Sequence, residues 1–287
     1  MKNFPYEVEM NRISLQIKLQ NDKMGKAEKR IADWILNNSG KIISLSIVEL
    51  AEQCDCGEAT IVRFAKRLGL NGFQELKFSL ASESGASPVN TNITAQDSAF
   101  DIYQKVCNDI YLSLEKTKGS LNEASLSEAA DKICKAGKII VLGLGNSSSI
   151  ALDASHKFMR AELNAIAYTD NHMQVIAASH LTENDIAIGI SHSGSSKDVV
   201  EALKLAKEHG ATTIAITNSG KSPILKQSDI VLATSSTETQ YSILALNSRI
   251  AQLAIIDTLY FYIVCKHSDD ALKSIQETEH SLLTKKY

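Results

Sequence analysis

Lys138-Ile139-Ile140-Val141-Leu142-Gly143-Leu144-Gly145-Asn146-Ser147-Ser148-Ser149 is a short apolar run that empties into a glycine- and serine-rich loop. Asp185-Ile186-Ala187-Ile188-Gly189-Ile190-Ser191-His192-Ser193-Gly194-Ser195-Ser196 repeats the plan 47 residues later. Apolar residues at successive positions would occupy both faces of a strand, which is the signature of a buried parallel sheet. Each loop then opens an amphipathic stretch. A strand that gives way to a helix directs backbone N–H groups outward and places the positive end of the helix dipole there, so an anion is favoured. Serine hydroxyls add donors. A phosphate monoester offers several acceptor oxygens, and amides with hydroxyls satisfy them without a metal or a reactive base. The expected site is a phosphate pocket made of Gly145, Asn146, Ser147, Ser148, Ser191, Ser193, Gly194, Ser195 and Ser196, with no metal and no cofactor.

Outward from these loops the strand-like runs continue at 212–216 and 229–232, alternating with helical patterns such as 199–208. That alternation predicts a doubly wound α/β sheet, whose ligands bind beyond the strand carboxyl ends. Two long helical patterns, 242–266 and 269–285, close the chain. The apolar segment 250–265 is interrupted by Gln252 and Asp257 and is read as a buried helix too short to span a bilayer.

Before residue 82 the pattern is wholly helical. Ala27, Ile31, Trp34 and Ile35 form a stripe at helical spacing, and Ser46-Ile47-Val48-Glu49 is a capping-box start. A short helix stops at Cys54-Asp55-Cys56-Gly57, and another runs from Glu58 to Arg67 with Gly69 in the C-terminal capping role. Two short helices joined by a tight turn form a helix-turn-helix, in which the second enters the DNA major groove. The polar, Gly- and Pro-punctuated stretch that follows is a linker. The expected boundaries are 1–81 for an all-helical domain, 82–98 for the linker and 99–287 for the sheet domain.

The 287 residues are 44% hydrophobic, enough for a sizeable core and for two domains. Residues 1–80 carry 12 Lys and Arg against 10 Asp and Glu, whereas the rest carries 18 against 23. So slight a basic excess does not by itself establish nucleic-acid binding. Five cysteines make no even disulfide framework, and the start lacks the basic-then-apolar order of a secretory leader, so the expected compartment is the cytoplasm. Cys54 and Cys56 have no second Cys/His pair at finger spacing and are read as turn and core thiols.

Glu49-Leu50-Ala51, Ala59-Thr60-Ile61-Val62-Arg63-Phe64, Lys66-Arg67-Leu68-Gly69 and Gly72-Phe73-Gln74-Glu75-Leu76-Lys77 closely resemble the N-terminal domain of RpiR-type bacterial transcriptional regulators. Gly143-Leu144-Gly145-Asn146-Ser147, Ile190-Ser191-His192-Ser193-Gly194 and Ser248-Arg249-Ile250-Ala251-Gln252-Leu253 resemble the sugar isomerase (SIS) domain fused to it. The resemblance implies a DNA-binding regulator that senses a phosphorylated sugar, with an amino-sugar phosphate first among candidates, and that works as a homodimer or homotetramer on a two-fold-symmetric operator. It places no membrane contact on the chain. His172 and Glu238 are the candidates to touch the sugar. Thr60, Arg63 and Lys66 share one face of the second helix and are the DNA-reading candidates, with Arg67 on the backbone. Gly57 and Glu58 depart from the family pattern; Glu58 repels phosphates and instead suits a cytosine amino group.

Each site residue has a plainer role. Serines commonly cap helices, a lone histidine at a helix start is commonly a surface residue, Glu238 reads equally as an exposed loop acid, and Arg63 and Lys66 as solvated charges. The rival function is a phosphosugar isomerase with Glu238, His172 or His192 as general base. The helix-turn-helix argues against it, since such an enzyme has no use for one. A dinucleotide fold lacks its third glycine after Gly145, and Gly189-Ile190-Ser191-His192-Ser193 lacks the final glycine of a nucleophile elbow.

Overall fold

The structure is a computed structural model and describes residues 13–42, 45–83, 93–236, 246–266 and 268–285. These fall into two compact units that divide between Lys105 and Val106.

The first unit is helical, with α1 (Ile13–Gln20), α2 (Lys26–Asn37), α3 (Ile47–Gln53), α4 (Glu58–Arg67) and α5 (Phe73–Glu83). The stripe on α2 buries Ile31, Ala32 and Ile35 against Leu50, Ile61, Phe64 and Leu76. The start of α3 follows from its sequence: Ser46 Oγ accepts from the Glu49 N–H at 3.2 Å, and the Glu49 carboxylate accepts from the Ser46 N–H at 2.8 Å. α4 ends in a Schellman turn. Gly69, at φ +83°, donates to the Lys66 carbonyl at 3.0 Å, and Leu70 donates to that of Ala65 at 3.1 Å. α5 continues through Glu83, past the expected start of the linker, because the Glu83 carboxylate accepts from the Ser14 amide of α1 at 3.1 and 3.2 Å and from its hydroxyl. Residues 84–92 of that segment lie outside the described residues.

α6 (Ala99–Ser120) carries the chain across the division. Then follow α7 (Glu123–Lys135), β1 (Ile139–Gly143), α8 (Asn146–Arg160), β2 (Ala165–Tyr168), α9 (Asn171–Ala178), β3 (Ile186–Ile190), α10 (Lys197–Glu208), β4 (Thr212–Asn218), β5 (Ile230–Thr234), α11 (Leu246–Lys266) and α12 (Ser268–Leu282). The five strands form one parallel sheet in the order β2-β1-β3-β4-β5. The doubly wound expectation holds. Alternate residues of β1 serve different cores: Ile139 and Val141 pack with α7, α8 and α11, while Ile140 and Leu142 pack with α9 and α10. Two covered faces are the reason the strand runs are unbroken in apolar residues.

Two expectations need correcting. β2 was not among the expected strands: Ala165-Ile166-Ala167-Tyr168 is four residues long, half alanine, and an edge strand that becomes one only by pairing with β1. The second concerns α11, which lies within the long helical pattern expected at 242–266 but, with 21 residues, is not too short to span a bilayer. By length and composition alone it is long enough to cross a membrane. Its Ala251, Ile255, Ile256, Leu259 and Ile263 are instead buried in the core beside the sheet.

Candidate functional site

The chain runs from β1 outward to β2 and then crosses back to β3 on the other side of β1. This reversal is the topological switch point, where open α/β sheets leave a crevice beyond the strand carboxyl ends. Both serine-rich loops leave from it. The register pairs Gly143 of β1 with Ile190 of β3, so the two loops depart from adjacent strands at the same level.

The first loop enters α8 through Gly145, whose φ of 55° and ψ of −126° suit glycine and little else. Gly143 just before it was missed by sequence reasoning: a Cβ there would lie 2.5 Å from the Ser147 carbonyl oxygen. Within the loop the hydroxyls of Ser148 and Ser149 donate to the Gly145 and Asn146 carbonyls at 2.7 and 2.9 Å. The Ser147 hydroxyl, half-buried, has no partner among the described residues.

The second loop is more tightly built. Ser191 is 2% exposed, and its hydroxyl lies 3.0 Å from that of Ser196. Ser193 Oγ accepts from the Ser195 N–H at 3.3 Å, and the Ser195 hydroxyl donates to the Ser193 carbonyl at 3.2 Å. Gly194, at φ +60°, donates to the Ser191 carbonyl at 3.1 Å and accepts from the Ile224 N–H at 3.0 Å. The His192 carbonyl is fastened to the end of β4 by the Asn218 N–H at 3.0 Å. Helix capping, the plain role of these serines, is not how the structure uses them. The N-cap of α8 is Gly145, and Ser196, the N-cap of α10, makes no capping bond with its side chain. Lys197, next to the loop, is exposed and lies 3.5 Å from Glu201, an ordinary helix-surface pair.

His172 sits exposed in the first turn of α9, which starts where β2 ends and is capped by Asp170 accepting from Met173 at 3.0 Å. Gln174, two residues on, is fully buried, and no sequence signal marked it. Glu238 lies outside the described residues.

In the helical unit, α3 and α4 meet at the turn Cys54-Asp55-Cys56. Arg30 of α2 clamps that turn: its Nε donates to the Cys54 carbonyl at 2.8 Å and its Nη2 donates to the Asp55 carbonyl. Asp55 itself has φ +46°. Burial pushes the Cys54 thiol up to about 11 and raises that of Cys56. Arg63 and Lys66 are exposed on α4, with Arg63 Nη2 donating to Thr60 Oγ1 at 3.2 Å, and Glu58 is half-buried. Arg67 is engaged within the unit. It pairs with Glu28 at 2.6 Å and donates to the Lys23 carbonyl at 2.6 Å, which anchors the end of α4 to the start of α2.

The comparisons with known proteins meet this geometry. Residues 11–87 match the helix-turn-helix domain of the rpiR family, and residues 132–262 match the SIS domain. An uncharacterized HTH-type transcriptional regulator of Caldanaerobacter subterraneus subsp. tengcongensis is 39% identical over 91% of this chain and 93% of its own. The chain belongs to the rpiR family of helix-turn-helix transcriptional regulators.

Solved structures agree with the fold of this RpiR-type regulator. The Vibrio vulnificus NanR protein complexed with ManNAc-6P is 23% identical, covers 96% of this chain and all of its own, and superposes with a TM-score of 0.81. The sugar isomerase domain of an RpiR transcription factor from Sphaerobacter thermophilus is 24% identical, covers 62% of this chain and 97% of its own, and has a TM-score of 0.55. The family and its helix-turn-helix make this chain a regulator rather than an enzyme.

Proposed function

We propose that this RpiR-type regulator is controlled by a phosphorylated sugar held at the switch point of the SIS sheet. The observation that carries the reading is the level departure of two serine loops from neighbouring β1 and β3. Ser147, Ser148, Ser191, Ser193, Ser195 and Ser196 supply hydroxyls, Asn146 stands beside them at the start of α8, and Gly145 and Gly194 let the backbone approach the phosphate. His172, at the end of the adjacent strand, contacts the sugar, and Glu238 is the second sugar candidate. Amino-sugar phosphates come first because the NanR protein, which shares the fold, is held with ManNAc-6P.

In this reading residues 1–81 bind DNA through Thr60, Arg63 and Lys66, with Glu58 and Arg67 at the ends of the same helix, residues 82–98 link, and residues 99–287 sense. Two copies, or four, straddle a two-fold-symmetric operator in the cytoplasm. Regulation requires the ligand to bind two arrangements unequally, and a few kcal/mol of differential affinity shifts most of the population. A gel-shift series on DNA upstream of the regulator's own gene, titrated with hexose and hexosamine 6-phosphates, tests the reading. One sugar phosphate changing the shift supports it. Retention of DNA binding with no response to any of them refutes the effector.

A further inference from the structure

We propose that Gln174 is a positioning residue that sets the sugar preference of the serine-lined site, by tying the loop after β1 to the helix that carries His172. This rests on the phosphosugar reading above. Gln174 is 0% exposed, whereas Met173 and Val175 on either side are 46% and 47% exposed. Its Nε2 donates to the Tyr168 carbonyl at 2.9 Å and makes a longer contact with the Gly143 carbonyl at 3.5 Å. Those carbonyls close two adjacent strands, since Tyr168 ends β2 and pairs with Leu142, and Gly143 ends β1. One side-chain amide therefore fastens α9 to both strand ends at the point where the first serine loop begins.

The orientation of that amide is fixed by its surroundings. Reversing it would turn Oε1 toward two carbonyl oxygens, acceptor against acceptor. With Nε2 facing the strands, Oε1 is buried and has no hydrogen-bond partner among the described residues. Packing alone does not call for such a side chain, because a methionine fills similar volume without burying an unmatched acceptor. What glutamine adds is direction. The loop that receives the phosphate and the helix turn that presents His172 are held in one register, so the span from phosphate to sugar contact is fixed, and that span discriminates among sugars esterified at the same position.

The test is calorimetric titration of the full chain and of Gln174→Met with a panel of hexose and hexosamine 6-phosphates, with inorganic phosphate as competitor. Inorganic phosphate reports the serine loops without His172. For Gln174→Met the ratio between the tightest and weakest sugar phosphate should narrow by about fivefold, equivalent to about 1 kcal/mol, while the competition by inorganic phosphate stays within about twofold. A ratio unchanged within about twofold overturns the proposal, as does an equal loss for inorganic phosphate and every sugar, which is what a merely structural residue would give. Gln174→Asn keeps the amide but falls one methylene short, and it should narrow the ratio in the same way should the methionine variant fail to fold. Failure of the unaltered protein to bind any sugar phosphate would remove the phosphosugar reading itself, and this inference with it.

Discussion

Gly194 packs so closely on Ser222 that a Cβ added to the glycine would lie 2.2 Å from the serine Oγ and 2.9 Å from Ile224 Cγ2. The second serine loop is thereby seated on the segment that follows β4, and its turn takes φ +60° at the same residue. Gly194→Ala adds a left-handed backbone penalty to a steric one. The expected cost is about 2–3 kcal/mol of stability, read by chemical denaturation, together with weakened sugar-phosphate binding. Removing the obstructing side chain in Gly194→Ala/Ser222→Gly should recover part of the stability. No recovery would mean that the backbone conformation and the remaining contact with Ile224 carry the effect.

Ser191 is the most enclosed hydroxyl of the candidate site, and Ser147 is the one without a partner among the described residues. Ser147→Ala deletes a group that the fold does not use, so stability should stay within about 0.5 kcal/mol while effector affinity falls roughly tenfold. Ser191→Ala also leaves Ser196 without its 3.0 Å neighbour, so it should lower both affinity and melting temperature. DNA binding without effector should persist in each, as seen by gel shift. Equal effector affinity for Ser147→Ala and the unaltered protein would remove Ser147 from the site.

The helix-turn-helix depends on Arg30 as a clamp. Arg30→Met keeps the aliphatic stem but deprives the Cys54 and Asp55 carbonyls of their donors. Operator affinity should drop by about tenfold, with about 1–2 kcal/mol lost in stability and sugar-phosphate titration unchanged. Arg30→Lys should rescue only part, since an ammonium cannot reproduce the guanidinium fork. Fluorescence anisotropy with labelled operator DNA reads the difference.

Burial raises the Cys54 thiol from the ordinary 9.0 to about 11. Because the folded state holds this proton more tightly than the unfolded chain, the associated stability is full below about pH 9 and is lost as pH rises toward 11. Thermal melts should therefore show a decline across that window that flattens in Cys54→Ala. Alkylation at pH 8 should modify the exposed Cys107 and Cys265 well before Cys54. Rapid native-state labelling of Cys54 would contradict its burial.

Much of this architecture was legible in the chain. The unbroken apolar runs of β1 and β3 announced a covered parallel sheet, Ser46 and Glu49 announced the start of α3, and Gly69 its counterpart at the end of α4, because each depends on neighbours a few residues away. β2 was not legible. Its alanines carry little intrinsic strand preference, and the hydrogen bonds that make it a strand come from β1. The switch point was likewise invisible, since nothing within either serine loop states that β1 and β3 lie side by side. Gln174 gave no signal, as a polar residue in a short helix is ordinary until burial and two strand-end carbonyls surround it, and the pairing of Arg67 with Glu28, 39 residues away in the chain, was equally unmarked. Local sequence determined the elements and the chemistry of their loops through short-range hydrogen bonding and side-chain periodicity. Only the tertiary structure decided which loops converge and which polar groups are consumed in holding them, because strand order and burial are set by contacts between residues far apart in the chain.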